Sequence, residues 1–250
     1  FESDEDKMKN SLNELYTALD YVYSLEEKEM ADETDLAKLS ELAKSEYSEV
    51  RTAVSEVLVC FYNEDSEKIL VKMLNDSDSL VQASACDSLG CSKSSTVLRK
   101  LCDMSRNKSF LVRGYAAFSV GDVQLNIGGD SEKTAVFLKK WLKREKSEWV
   151  ITAIVRSLFI LGNRDYLACL LKQLENDNYK IRYMALNCLS EFPDMPVTLD
   201  KSAMQQIISA LKERLNNEKV KYAKEKIRQL IELYEDINSN ADGLSKVTEK

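Results

Sequence analysis

The side chains of this chain that could do chemistry are carboxylates, thiols and cations, and imidazoles are missing. Among 250 residues there are 42 Asp and Glu, 35 Lys and Arg, six Cys and no His. Ser-His-Asp and Cys-His catalysis need a group that titrates near neutrality, and catalytic zinc sites are usually built on His. Those reactions are excluded. A zinc site made of Cys alone needs C-x-x-C pairs, and Cys60, Cys86, Cys91, Cys102, Cys169 and Cys188 contain none. The six fall inside helical apolar patterns, where a thiol is a small core filler. They are expected to be buried and reduced, which points to the cytoplasm. Two carboxylates about 5–10 Å apart in a cleft remain an enzymatic route, but with 42 acids the sequence singles out no pair. No catalytic residue, metal or cofactor is expected.

Charge is uneven along the chain. Residues 1–50 carry 15 acidic and 5 basic side chains, a net −10 within an overall −7. The remainder is net +3, with basic runs at Lys139–Lys146 and Lys219–Arg228. Such runs can bind phosphates, although solvated lysine is ordinary on a helix surface. No apolar run reaches the roughly 18 residues of a membrane span, because Arg156 and Asn163 interrupt the stretch around Leu158–Leu161. The chain starts at Phe1 and shows no signal-peptide pattern.

The elements that must position any site are repeated. The blocks Glu49-Val50-Arg51, Leu80-Val81-Gln82, Leu111-Val112-Arg113, Trp149-Val150-Ile151 and Lys180-Ile181-Arg182 align, at intervals of 31, 31, 38 and 31. Seven residues after the third position stand Leu58, Leu89, Val120, Leu158 and Leu189. Twelve before it stand Leu39, Leu70, Leu101, Lys139 (beside Leu138) and Leu170. A degenerate sixth unit places Ile208, Ala223 and Ile227 in phase. Apolar spacing of 3 and 4, twice per unit, makes each unit two amphipathic helices. A unit of this size cannot bury its own stripe, so stacked neighbours must share one core.

Ser66, Ser131 and Asp165 are expected to cap helix starts, and Gly90, Gly121 and Gly162 to close helix ends. The two long intervals imply insertions near 122–130 and 192–200, read as loops. A long helix over Met8–Leu25 with Tyr16, Tyr21 and Tyr23 makes residues 1–33 an acidic cap ahead of an array over 34–236. Residues 237–250 have little to bury and are expected to form a flexible tail.

The stretches Asn75–Ala85 and Trp149–Leu167 resemble HEAT repeats, most closely the short variety of phycobilisome-lyase-like proteins. Each has an Asp-rich or polar turn, Val-Arg or a variant of it, small residues, and then Leu with a following Gly. Gln82 and Ile151 depart from the usual Arg. The resemblance covers 34–192 well and 201–236 poorly. It implies an all-α α-α superhelix, a HEAT-like α-solenoid of five to six hairpins with capping helices. It also implies that Arg51, Arg113 and Arg182 are structural, reaching turn acids of a neighbouring unit such as Asp78 and Asp177.

In a solenoid the second helices line the concave face, the usual binding surface. The phases one, two and five after the Arg column are expected to look outward. They offer Tyr115, Phe118, Arg156, Tyr183, Met184 and Asn187, the composition of a protein or peptide hot spot. The expected function is a non-enzymatic protein-interaction or scaffold module, its partner a protein or peptide, with no membrane role. The alternative is a nucleic-acid-binding HEAT-like protein resembling the alkylpurine DNA glycosylases, with Trp149 and Arg156 near the nucleotide. That family's tryptophan-rich motif and basic concave face are missing. The HEAT-built metal-dependent hydroxylase needs His-Glu pairs and is excluded by composition. Bilin-lyase-like activity has no support beyond the repeat type.

Overall fold

The computed structural model describes residues 4–28, 32–197 and 199–245. Among these residues there are thirteen α-helices and no strand. The chain divides into two compact units, 1–141 and 142–250, and each is described by itself.

In the first unit α1 (Asp4–Ser24) precedes three helical hairpins. These are α2 (Glu33–Leu42) with α3 (Ser48–Val57), α4 (Glu64–Met73) with α5 (Ser79–Ser88), and α6 (Ser95–Asp103) with α7 (Phe110–Ile127). Each hairpin's second helix packs on the next, α3 on α5 and α5 on α7, with α1 against α3. Among the first helices α2 packs on α4, and α8 (Glu132–Leu142) follows. The two apolar columns read from the repeat are sealed: Leu39, Leu70 and Leu101, then Leu58, Leu89 and Val120 have no exposed surface, and neither do Val54, Ala85 and Ala116, three residues after the Arg column. A buried Leu contributes about 2 kcal/mol relative to an exposed one, so these columns carry the stacking.

In the second unit α9 (Glu148–Ile160) pairs with α10 (Tyr166–Lys172). It also packs on α11 (Tyr179–Glu191), which in turn meets α13 (Lys221–Ser245). α12 (Lys201–Asn217) pairs with α13. Leu158, Leu170 and Leu189 are again fully buried. In the sixth unit Ala223 and Ile227 are buried as expected, whereas Ile208 is half-exposed and Ile207 beside it takes the buried position. Tyr234 is sealed, and its hydroxyl donates to the Leu189 carbonyl at 2.7 Å, tying α13 to α11.

Several local expectations are corrected. The segment 122–130 is not a loop: α7 continues to Ile127, burying Val123 and Gln124, and ends at Gly128 with φ 73°. Gln124 accepts a hydrogen bond from Thr134 at 2.6 Å, which ties the extension to α8. Gly121 therefore lies inside α7 and Gly90 in a 3-10 turn, while Gly162, with φ 88°, does close α9. Ser66 is the third residue of α4, not its cap. Asn63 accepts from the Asp65 and Ser66 N–H groups, and Ser66 Oγ accepts from Asn63 N–H. Asp165 precedes α10 without a side-chain capping bond. The insertion near 192–200 opens with a 3-10 turn that buries Phe192 against Phe159, ring centroids 4.8 Å apart. It ends at Asp200, which caps α12; Thr198 lies outside the described residues. The tail expected from 237 is helical to Ser245, because no breaker precedes Gly243. Cys86 and Cys188 are buried, but Cys60, Cys91 and Cys169 are exposed.

Candidate binding surfaces on the second-helix layer

The turns that precede α3, α5, α7, α9 and α11 share one polar device. Six residues before the Arg column stand Ser45, Asp76, Asn107, Glu145 and Asn176. Each accepts, through its side chain, the backbone N–H two residues on, at 2.8–3.2 Å. A short polar side chain bonding forward in this way builds the turn. The Arg-column side chain then reaches back to the carbonyl of the same residue. Arg51 donates to Ser45 O at 2.7 Å, Gln82 to Asp76 O at 2.6 Å, Arg113 to Asn107 O at 2.9 Å and Arg182 to Asn176 O at 2.8 Å.

The same side chains link successive repeats. Arg51 forks onto Asp76, Nε and Nη2 donating at 2.7 and 2.8 Å. Arg182 forks onto Glu218 at 2.8 and 2.9 Å. The turn acids are therefore Asp76 and Glu218, not Asp78 and Asp177. Asp78 instead caps α5 by accepting Leu80 N–H, and Asp177 offers Arg182 its backbone carbonyl. Where Gln82 replaces Arg, Asn107 replaces the acid and donates to Gln82 Oε1 at 2.7 Å. An amide pair thus takes the place of the ion pair at the same spacing.

Glu218 is 2% exposed. Its bonds from Arg182 outweigh burial, and with the Val220 and Lys219 N–H groups they bring its carboxyl down to about 2. Burial raises Asp76, but Arg51 and the backbone N–H groups of Asp78 and Ser77 hold it below the usual carboxylate range.

The expected outward patch is only partly on the surface. Tyr115 and Phe118 on α7 and Tyr183 on α11 are half-buried, and Asn187 is exposed. Arg156 and Met184 are buried, at 3% and 5% exposure. The second phase after the Arg column faces a helix seam, since Ala53 and Ala153 in that phase are buried too. Along α9 every residue from Thr152 to Ile160 is buried. Arg156 escapes at its tip, with Nη2 donating to Glu191 Oε2 at 2.9 Å and 3.6 Å from Met195 Sδ.

In the first unit the fifth phase presents Glu56 and Asp87, both exposed. Burial and then the charges of Asp87 and Glu56 push the Tyr115 phenol up; burial and then Glu26 raise Glu56. These groups therefore share one acidic strip with Tyr115. In the second unit Tyr183 does not stand alone. The Tyr222 ring meets it edge-on at 5.2 Å and meets Tyr179 at 6.3 Å. Tyr179 and Tyr222 were missed in the sequence. Their signals were a Tyr four residues before Tyr183 and a Tyr within the basic run 219–228.

Two further features lie away from this layer. A groove of about 1000 Å³ between α1 and α2 is lined by Glu14, Tyr21, Lys38, Glu41 and Tyr47, among others. Lys140, Lys143, Arg144 and Lys146 of the other basic run are exposed on and after α8. Among the described residues no group of three or more His, Cys, Asp or Glu could hold a metal ion, and no helix is long and apolar enough to cross a membrane.

Residues 36–121 match the family model for HEAT repeats. No curated protein matches the sequence. Among solved structures, one similar fold is a chain of the complex of CpcE and CpcF of phycocyanin lyase from Nostoc sp. PCC7120. It has a TM-score of 0.58 at 15% identity, covering 88% of this chain and 88% of that one. Another is an archaeal HEAT-like repeats protein from Thermococcus onnurineus NA1, with a TM-score of 0.46 at 18% identity, covering 92% of this chain and 98% of that one. The likeness to the first of these structures and the stacked hairpins agree on an all-α fold of the α-α superhelix class, within which residues 36–121 match HEAT repeats.

Proposed function

We propose that this protein is a non-enzymatic interaction module that holds segments of a partner protein on the second-helix layer of one or other of its units. The supporting observation is that Tyr115 and Phe118 in the first unit, and Tyr183 and Asn187 in the second, are wholly or partly open to solvent. Tyr and Phe supply large contact area with few rotatable bonds, which is why they are enriched at interfaces. The phycocyanin lyase chain of similar fold belongs to a complex of two proteins, which supports pairing of such a chain with a protein. At 15% identity the likeness brings no lyase chemistry with it. Nucleic acid is the weaker reading. In the first unit the exposed positions Glu49, Glu56 and Asp87 carry negative charge, which repels phosphate where counterion release would require Lys and Arg. The cytoplasm is the compartment we favour, supported by six cysteines outside any disulfide.

The test compares the proteins captured by the wild-type chain with those captured by the Tyr115→Ala/Tyr183→Ala double variant, folding being checked by circular dichroism. Loss of at least one specific partner is expected. A variant that retains every partner overturns the reading.

A further inference from the structure

The second basic run of the sequence and the tyrosines missed in it occupy one surface. Tyr179, Tyr183 and Asn187 recur at i, i+4 and i+8 and so share a face of α11. Tyr222 and Lys226 share a face of α13 by the same spacing. The two faces adjoin, since the Tyr222 ring stands 6.3 Å from Tyr179 and 5.2 Å from Tyr183. Tyr179 is 41% exposed and Tyr222 50%. Two exposed rings and the half-buried Tyr183, joined through Tyr222, form a contiguous aromatic patch instead of the scattered apolar residues usual on a monomer's surface.

On the α13 side of this patch the charge is mainly positive. From 219 to 228 there are five cations and one acid, and that acid, Glu225, pairs with Arg228 at 3.3 Å. Among the described residues none of Lys219, Lys221, Lys224 and Lys226 is paired with a carboxylate. They also sit at the start of α13, where the helix dipole disfavours cations by a few tenths of a kcal/mol each. Helix stability does not account for them.

We infer that the Tyr179–Tyr183–Tyr222 patch with its ring of lysines is a docking surface for an acidic segment of a partner protein. An apolar or aromatic anchor of that segment lies on the rings, and its carboxylates meet Lys226 and the lysines at 219 and 221. The edge-on packing of Tyr222 occupies ring faces that stacked bases would need, which favours a peptide over a single-stranded nucleic acid. This inference rests on the interaction-module reading and gives the partner's chemistry at one part of that layer.

The probe is a fluorescein-labelled random copolymer of Glu and Tyr, titrated with the full chain and followed by anisotropy. Binding that weakens as salt rises is expected. It should fall about tenfold or more, equivalent to ~1.4 kcal/mol, in both Lys226→Glu and Tyr222→Ala. The Lys140→Glu/Lys143→Glu variant, which alters the other basic run, should bind as the wild type does. Three outcomes overturn the inference: no binding of the copolymer, equal loss in the Lys140/Lys143 variant, or a labelled thymidine 15-mer binding as tightly. If Lys226→Glu keeps every captured partner while Tyr115→Ala/Tyr183→Ala loses one, the acidic-segment inference fails and the module reading stands.

Discussion

Replacing Glu218 by Gln removes one charge from the most enclosed ion pair in the second unit. The Glu218 carboxylate receives Arg182 at 2.8 and 2.9 Å and the N–H groups of Lys219 and Val220 at 2.8 and 3.0 Å. Arg214 Nε lies 3.2 Å away. A carboxyl lowered from 4.5 to about 2 corresponds to about 3 kcal/mol at ~1.4 kcal/mol per pH unit. Glu218→Gln leaves the Arg182 guanidinium, 8% exposed, without its counter-charge, and breaking a buried pair in this way costs about 3–5 kcal/mol. Screening trims the figure, so a loss of about 2–4 kcal/mol in urea unfolding is expected. The Arg182→Met/Glu218→Leu double variant should recover most of it, because no charge is then left buried. The pH dependence gives a second reading. A group whose folded pKa is depressed contributes its stability above its unfolded value, and that contribution is lost as pH falls through the folded one. The difference between wild type and Glu218→Gln should therefore be full above about pH 5 and shrink steadily toward pH 2. A loss under about 0.5 kcal/mol, or one that does not change with pH, would refute the reasoning.

Two other predictions concern the backbone and the amide link. Gly162→Ala, at φ 88° with no atom within 4 Å of the added Cβ, should lose about 1 kcal/mol from backbone strain alone. Gly90→Ala, whose Cβ would meet Ser119 Oγ at 3.5 Å with ordinary φ, should stay within about 0.5 kcal/mol of wild type; thermal unfolding of both reads this. Asn107→Asp alone should destabilise, because Gln82 loses its amide donor. Gln82→Arg/Asn107→Asp should recover most of the loss by rebuilding the pair seen at Arg51 and Asp76, and a double-mutant cycle showing no coupling would count against that equivalence.

The stacking was legible because burial must repeat with the repeat: Leu39, Leu70 and Leu101 had to be sealed if the period was real, and they are. Helix ends were harder to read. Gly121 had the look of a terminator, yet Val123 and Gln124 gain burial by prolonging α7, so the chain breaks at Gly128-Gly129, where positive φ is adopted. Arg156 and Met184 show the limit of counting phases. A one-position error in register moves a side chain from the open side of a helix to a seam between helices, and α9 is buried on every side from Thr152 to Ile160. The partners Asp76 and Glu218 lie 25 and 36 residues from their arginines, a separation that local pattern does not encode. The polar column six residues before the Arg position was present in the sequence and would have indicated Asp76.

The arginine forks reach only as far as the following repeat, so acid acts on them one at a time. Protonating Asp76 or Glu218 slackens a single rung, whereas the Gln82–Asn107 rung, having no proton to gain in that range, is indifferent to it. A strongly acidified chain should thus come apart in patches, with amide exchange quickening around Arg51 and Asp76 and around Arg182 and Glu218, while the turn at 107–113 still resists.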